Sequence, residues 1–362
     1  MKLRLLGNVT PRAFLQRHWQ KRPLLVRGAI PGLSGLLELR SLTGLAARDD
    51  VESRVVQRRG KRFETVHGPF ERGLRLQRRN ATLLVSGVNL HVRAADALLR
   101  RFAFVPQARL DDVMVSYATP GGGVGPHVDS YDVFLLQGEG RRRWRVWRPD
   151  GSFHKQLSAE KGDLLYLPPG WQHDGVALEP CYTYSIGFRA PRGAELAAAF
   201  LDWLHERGLP DALYRDPALK PARRGAAIPR SMVSFAEATL KSIRWSKDDT
   251  ARFLGEFLTE PKAHVVFRPS AKHGMVFRPS ATPGTLARWA LQLDPKTQLL
   301  YSGRRFFING ESFVTSKSAA PRLRELANRR RLRADRLARP PLVGLISGWL
   351  RAGYAHLQRL TP

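Results

Sequence analysis

The sequence predicts an α+β protein, with an all-β region in the first half of the chain and helices dominating the second half. Between Asp111 and Arg189, apolar runs of four to eight residues are separated by Gly and Pro, which is typical of short strands and tight turns. After Pro191, apolar residues recur at helical spacing, beginning with AELAAAFLDWLHERG. The change of pattern at Pro191 therefore separates a β core from the helical part.

The residues before the β region are expected to cover one end of the core. An amphipathic helix and an apolar strand follow each other in FLQRHWQKRPLLVRGAI, and residues 34–56 are predicted as a second helix. The segments VESRVVQRR and KRFETVHG are predicted to form an edge hairpin with Gly60 at its turn. A further helix is expected over Ala94–Arg101.

Three residues of the β region have the composition of a metal site. His127 and Asp129 are two positions apart, so on a strand their side chains project from the same face. His173 follows the turn-rich run LPPGWQ. Two imidazoles and one carboxylate form the facial triad that holds non-haem Fe(II). Most H-x-D pairs are surface pairs, but the run GGGVGP before His127 allows close backbone approach and favours a site.

The strand RRRWRVW contains an arginine that is predicted to be buried. Alternation puts Arg142 and Trp144 on one face and Arg141, Arg143 and Arg145 on the other. A buried arginine needs an anionic partner. A ferrous site needs an electron-donating co-substrate, and a dicarboxylate that chelates iron at one end would need such a fixed cation at the other. The alternative, a solvated basic edge, is expected for Arg141 and Arg143.

Alternation also assigns one face of the strand at 111–117 to Asp112, Met114 and Ser116. A carboxylate on a mostly apolar strand is costly without a partner, so Asp112 is predicted to pair with a substrate guanidinium. Met114 would pack along its methylenes, and Tyr131, in phase with His127, would wall the same slot. Ser116 and Ser185 are candidate hydrogen-bond donors to co-substrate or substrate. The alternative is a hydrated aspartate at the end of the strand.

These motifs resemble a known family. H-V-D, the arginine fifteen positions after its histidine, and GDLLYLPPGWQHDG are similar to the JmjC-type 2-oxoglutarate oxygenases. The strings GGGVGPHVDSYDVFLLQGEGRRRWRVW and YSIGFRAP resemble the bacterial ribosomal oxygenases in particular. The resemblance implies a double-stranded β-helix (a jelly-roll, cupin-like JmjC core), Fe(II) as cofactor and 2-oxoglutarate as co-substrate, its far carboxylate on Arg142. It also implies 3-hydroxylation of an arginine in a large-subunit ribosomal protein.

The second half of the chain is predicted to hold two further domains. Helices are expected in AELAAAFLDWLHERG, SMVSFAEATLKSIRW and DDTARFLGEFLTE, the last capped by Asp248 or Asp249. The resemblance implies that they form a dimerisation module. Helices in TLARWALQL, AAPRLRELANRR and PLVGLISGWLRAGYAHLQRL surround a hairpin with Asn309-Gly310 at its turn, which together predict a winged helix. The predicted domains are 1–190 (catalytic), 191–262 (helical) and 263–362 (winged helix).

Composition bounds the environment and the partners. A single cysteine, Cys181, excludes a disulfide framework and a cysteine-based zinc site. Neither a membrane span nor a signal peptide is expected, which predicts a cytoplasmic protein. Lys and Arg number 60 against 31 Asp and Glu, a net charge of +29. Such a surface attracts ribosomal RNA or other polyanions, although a compositional bias of the genome would give the same excess.

Alternatives remain open at this point. The same oxygenase chemistry on a histidine of a ribosomal protein is one, although Asp112 favours a cationic side chain. A cupin-like metal protein of other chemistry, such as an isomerase, would not need Arg142. A nucleic-acid-binding regulator whose jelly roll senses a ligand is the third. The repeat VFRPSA at 266–271 and 276–281 is predicted as a hairpin or loop pair, without a functional interpretation.

Overall fold

The computed structural model describes residues 5–71, 73–221, 223–269 and 286–360. It divides into two compact units. One holds the described residues of 1–190, 261–297 and 321–362, and the other those of 191–260 and 298–320. The predicted division at 190 and 262 into three domains stays a prediction.

The first unit contains the jelly roll that the sequence predicts. Its larger sheet has eight strands in the order β1-β9-β6-β11-β5-β4-β2-β3, and its smaller sheet has three in the order β10-β7-β8. The neighbouring strands in these two sheets pair antiparallel. The strands are β1 Leu24–Val26, β2 Ser53–Arg59, β3 Arg62–His67, β4 Ala81–Val85, β5 Leu110–Ala118, β6 Val133–Gln137, β7 Arg142–Trp147, β8 Phe153–Ala159, β9 Leu164–Leu167, β10 His173–Ala177 and β11 Cys181–Phe188.

Apolar side chains fill the space on both faces of the larger sheet. One cluster joins β6 and β9 to β7 and β8 of the smaller sheet and includes Val133, Leu165, Trp144 and Leu157. The opposite face is covered by helices α1 (Pro11–Arg17), α2 (Leu39–Ala46) and α3 (Arg93–Arg100). Burial of these large side chains, each worth roughly 1.5–3 kcal/mol, makes the sheet a rigid support for a site between the two layers.

One prediction for the N-terminal part changes in the structure, and another is confirmed. The helix expected over 34–56 is confined to Leu39–Ala46, because Ser53–Arg59 pairs as a strand with both β3 and β4. Residues 51–56 belong to both predictions, and backbone pairing on both sides decides for the strand. The hairpin is confirmed, with Arg59 opposite Arg62 and Gly60 in the left-handed region at φ +61°.

The C-terminal part of the first unit forms a small sheet with two helices. Strands β12 (Trp289–Leu293), β16 (Arg331–Arg333) and β17 (Ala355–Arg359) pair in the order β16-β12-β17. The helix predicted in TLARWALQL is therefore wrong over Trp289–Leu293, where pairing on both edges holds the chain extended. The helices are α7 (Ala320–Arg329), as predicted, and α8 (Leu342–Ala352), shorter than predicted. Helix α8 ends at Gly353, which adopts the left-handed region at φ +78°. This cap turns the chain into β17.

The second unit combines three helices with a three-stranded meander. The helices are α4 (Gly193–His205), α5 (Arg230–Ser242) and α6 (Lys247–Thr259), and the strands are β13 (Leu299–Ser302), β14 (Arg305–Ile308) and β15 (Glu311–Val314). The predicted turn is confirmed: Asn309 and Gly310 both have positive φ, 49° and 89°. The predicted cap of α6 is wrong. Ser246 caps the helix, because its hydroxyl accepts from the Asp249 N–H while Asp249 bonds back to Ser246.

Among the residues that the structure describes, no helix is long and apolar enough to cross a membrane. Residues 270–271 of the first VFRPSA copy, and the whole of the second copy, lie outside the described residues.

Candidate active site

The three predicted metal ligands lie together between the two sheets of the jelly roll. The candidate ligand atoms of His127, Asp129 and His173 all lie within 4.8 Å of one another. His127 and His173 are held by a reciprocal pair of backbone hydrogen bonds, 3.0 and 2.9 Å long. The predicted strand through His127 is reduced to this single bridge.

Hydrogen bonds to the backbone fix the tautomer of both imidazoles. His127 Nδ1 lies 3.0 Å from the Gly125 carbonyl oxygen, and His173 Nδ1 lies 3.1 Å from that of Trp171. A carbonyl oxygen only accepts, so each Nδ1 must carry the proton and each Nε2 keeps a free lone pair. Burial and the neighbouring His127 also lower the pKa of His173, so its neutral form is favoured. This donor set fits a divalent transition metal.

The glycine run before His127 is required by close packing. A Cβ at Gly122 would lie 2.4 Å from the Ala81 carbonyl oxygen, and one at Gly123 would lie 2.5 Å from that of Gly175. No side chain fits at these distances, because both neighbouring atoms belong to the backbone. The run therefore lets the chain pass tightly between β4 and β10 and deliver His127 to the site.

Arg142 lies on β7 of the smaller sheet and points into the same cleft. The side chains along β7 alternate between buried and exposed as predicted, with Arg142 only 5% exposed and Arg143 solvated. Among the described residues, Nε and Nη2 of Arg142 have no hydrogen-bond partner. Burying a guanidinium without partners costs several kcal/mol, so this arrangement is typical of a site that receives an anion. A carboxylate would bind it in bidentate geometry.

The cleft that contains these groups has a volume of about 310 Å³, within the range of small-molecule sites. All the residues predicted from the sequence line it. They are His127, Asp129, His173, Arg142, Ser116, Ser185, Asp112, Met114 and Tyr131. Ser116 and Ser185 come from the adjacent strands β5 and β11, and the Ser116 hydroxyl donates weakly to the Thr183 carbonyl at 3.4 Å.

Asp112 forms an acidic patch in the cleft together with Asp111. The Gly87 N–H donates to Oδ2 of Asp112 at 2.8 Å. The other oxygen, Oδ1, faces Gly187, where a Cβ would stand 3.4 Å away. Burial, and next the adjacent Asp111 carboxylate, raise the pKa of Asp112 to about 6. A nearby cation stabilises the ionised form of such a carboxylate. Asp112 is therefore suited to bind a guanidinium.

Tyr131 closes the cleft beside Asp112. Burial, and then the Asp129 and Asp112 carboxylates, raise the pKa of Tyr131 to about 12. Its phenol therefore stays protonated and offers a hydrogen-bond donor over the physiological range.

Several cleft residues were missed in the sequence. Thr82 and Leu84 on β4, Thr183 on β11 and the charged residues Glu52, Arg54, Asp111 and Lys262 also line it. The Lys262 ammonium lies 3.2 Å from Asp111 Oδ1, although Lys262 follows helix α6 in the chain. No local pattern indicates this contact, since it depends on how a distant segment returns to the β core.

Two family models match this sequence. A JmjC domain matches residues 97–159 and 150–196, and a ROXA-like winged helix matches residues 242–356. The first of these spans the metal ligands, Arg142 and the strand of Asp112.

Similar proteins are known in both sequence and structure. The ribosomal protein uL16 3-hydroxylase of Escherichia coli is 38% identical over 71% of this chain and 73% of its own length. A probable ribosomal oxygenase of Haemophilus influenzae is 34% identical over 52% of each chain. The E. coli ribosomal oxygenase YcfD, solved in complex with cobalt and 2-oxoglutarate, is 33% identical with a TM-score of 0.82. That match covers 97% of this chain and 99% of the solved chain.

Proposed function

We propose that this chain, which belongs to the JmjC-type ribosomal oxygenases, is an Fe(II)- and 2-oxoglutarate-dependent protein hydroxylase. Its proposed product is a 3-hydroxyarginine in a large-subunit ribosomal protein. The observation that carries the proposal is the buried Arg142 guanidinium, two of whose nitrogens have no hydrogen-bond partner among the described residues. It lies in the cleft that also holds the two imidazoles and the carboxylate. An isomerase of the cupin type has no need of this cation, whereas a dicarboxylate co-substrate does.

Each cleft residue has a defined part in this reaction. His127, Asp129 and His173 would hold Fe(II), and Arg142 would hold the far carboxylate of 2-oxoglutarate. With both bound, the iron supplies the activation of dioxygen that inserts one oxygen atom into a substrate C–H bond as 2-oxoglutarate becomes succinate and CO₂. The Nδ1 bonds to Gly125 and Trp171 keep each imidazole in its ligating orientation. Ser116 and Ser185 contribute hydroxyl groups to the same cleft as Arg142.

The acidic patch supports arginine rather than histidine as the target. Asp112 and Asp111 lie in the same cleft as Met114 and Tyr131. A guanidinium binds carboxylates in bidentate fashion, and its long stem can pack on Met114 and the Tyr131 ring. An imidazole is mostly neutral at pH 7 and gains much less from two carboxylates.

Replacing Asp112 by Asn is expected to reduce hydroxylation of an arginine peptide on the order of 10-fold or more. The loss corresponds to about 1.4 kcal/mol for one charge-assisted pair, and it should fall on KM, since the metal ligands are untouched. The parent should bind the peptide less well as pH falls through about 6, because Asp112 takes up a proton there. The Asn variant should lack this limb in its pH profile. Steady-state kinetics from pH 5 to 8 measure both effects.

Decarboxylation of 2-oxoglutarate without peptide serves as the control and should be the same in Asp112→Asn as in the parent. If the variant hydroxylates the arginine peptide at the parent rate, Asp112 does not bind the substrate.

The proposed assembly is a homodimer through the helical segment. Large apolar side chains are exposed along this segment, and α5 has no buried residue at all. The exposed apolar side chains are Leu201, Leu209, Leu213, Leu219, Ile228, Met232, Val233, Leu240, Trp245 and Leu254. A soluble monomer rarely exposes so many apolar groups in one segment, and a second copy would cover them.

Leu240→Glu is therefore expected to convert the dimer to a monomer, because Leu240 is 68% exposed on α5 and a carboxylate would be desolvated in the interface. Sedimentation velocity measures the change in mass. The matched control is Val66→Glu on the exposed edge strand β3, which should keep the mass of the parent. A parent that sediments as a monomer at micromolar concentration would contradict the proposal.

The proposed setting is the cytoplasm, where ribosomal proteins are made, with the net charge of +29 favouring contact with ribosomal RNA. The regulator hypothesis requires specific duplex binding by the winged helix. Salt-dependent but sequence-independent RNA binding is the outcome expected here.

A further inference from the structure

Lys262 lies at the mouth of the cleft and contacts the acidic patch directly. Its ammonium is 3.2 Å from Asp111 Oδ1, and the Arg189 guanidinium is 3.4 Å from the same oxygen. The Lys262 side chain is 43% exposed, so it is neither fixed by burial nor fully solvated. This lysine is therefore a partly exposed cation at the position where the proposed substrate would bring another.

The cleft contains further charged residues besides Lys262. Arg54 lies 4.0 Å from Glu52, which places two opposite charges side by side. Asp112 receives a hydrogen bond from the neutral Gly87 N–H. Burial and Asp111 raise the pKa of Asp112, and Lys262 offsets part of this rise. The acidic patch is thus partly compensated before any substrate arrives.

We propose that Lys262 is an internal counter-charge that competes with the substrate's cationic side chain for the Asp111–Asp112 patch and selects for a guanidinium. A substrate lysine would only replace one ammonium by another, with no net gain. A substrate arginine adds the planar, bidentate geometry that an ammonium lacks, so it can displace Lys262. The inference rests on the proposed arginine hydroxylation and adds a specificity-determining residue to it.

The competition can be measured by equilibrium binding to the full chain, loaded with Mn(II) and 2-oxoglutarate without oxygen. The probes are glycine-flanked peptides that carry arginine, lysine or citrulline at the centre. Lys262→Met should bind the arginine peptide about 3-fold more tightly at low salt, the factor expected for one unit charge a few ångströms away in water. The lysine peptide should gain at least as much, and the neutral citrulline peptide should not change.

Lys262→Arg should bind the arginine peptide less tightly than the parent, because the internal cation then has the same bidentate geometry as the substrate. The matched control is Lys161→Met, which removes an exposed lysine paired with Glu139 outside the cleft and should leave all three affinities unchanged. High salt should shrink the effect of Lys262→Met, because it screens exposed charges. A merely structural role would change the citrulline peptide as well.

Unchanged or weaker arginine binding by Lys262→Met would overturn the inference, as would a parent that binds arginine and citrulline peptides equally. A different result would contradict the proposed function alone. Lys262→Met would then show the expected binding pattern, but no arginine peptide or ribosomal protein would be hydroxylated.

Discussion

Replacing His127 or Asp129 by Ala is expected to abolish turnover of 2-oxoglutarate at any iron concentration that leaves the parent active. Each substitution removes one of the ligand atoms that lie within 4.8 Å of one another, and two remaining protein ligands cannot hold Fe(II) in a facial arrangement. The protein should still fold, because both side chains lie at the cleft and not in the apolar cores. Succinate production and iron content of the purified variants measure the effect.

The control for these variants is His205→Ala, which removes an exposed histidine from α4 and should leave turnover unchanged. Full turnover by His127→Ala or Asp129→Ala would mean that the metal binds elsewhere.

Replacing Arg142 by Met is expected to raise the 2-oxoglutarate requirement about 30-fold or more, since the far carboxylate loses a buried bidentate partner worth roughly 2–5 kcal/mol. Without 2-oxoglutarate, the same substitution is expected to stabilise the protein. Arg142 is 5% exposed, and two of its nitrogens lack a hydrogen-bond partner within the described part of the chain, so an apolar side chain of similar length removes a desolvation cost. Thermal unfolding should show a higher midpoint for Arg142→Met without 2-oxoglutarate. It should also show a smaller rise on its addition than in the parent.

Arg141→Met is the matched control one position away. Arg141 is solvated and paired with Glu179 at 3.2 Å, on the opposite face of the strand. Its replacement should change neither the 2-oxoglutarate requirement nor the rise of the thermal unfolding midpoint on addition of 2-oxoglutarate. Equal effects from the two variants would show that Arg142 is not the co-substrate partner.

The site was largely predictable because its residues obey local periodicities. Alternation on β5 and β7 identifies the cleft-facing side chains, and the structure brings Asp112, Met114, Ser116 and Arg142 into one cleft. The spacing of His127 and Asp129 has the same value even though the predicted strand is reduced to one bridge. Both side chains still line the cleft.

The parts that were not predictable depend on contacts between distant segments. TLARWALQL has helical spacing, but Trp289–Leu293 pairs with strands on both edges, and these bonds decide its conformation. Lys262 has no local feature that marks it, and its role follows only from its position against Asp111. The cap of α6 is a separate case, because Ser246 and Asp249 are only three residues apart. The Ser246 hydroxyl accepts from the Asp249 N–H, and the Asp249 carboxylate accepts from the Ser246 N–H.

The central claim is tested most directly by mass spectrometry of ribosomal proteins from cells that carry this chain, lack it, or carry only its Asp129→Ala variant. The predicted result is one added oxygen atom on a single arginine of a large-subunit protein, present with the parent and absent from the other two. Fragment ions should place the oxygen on C3 of that arginine. Ribosomal proteins of identical mass in all three strains would contradict the account.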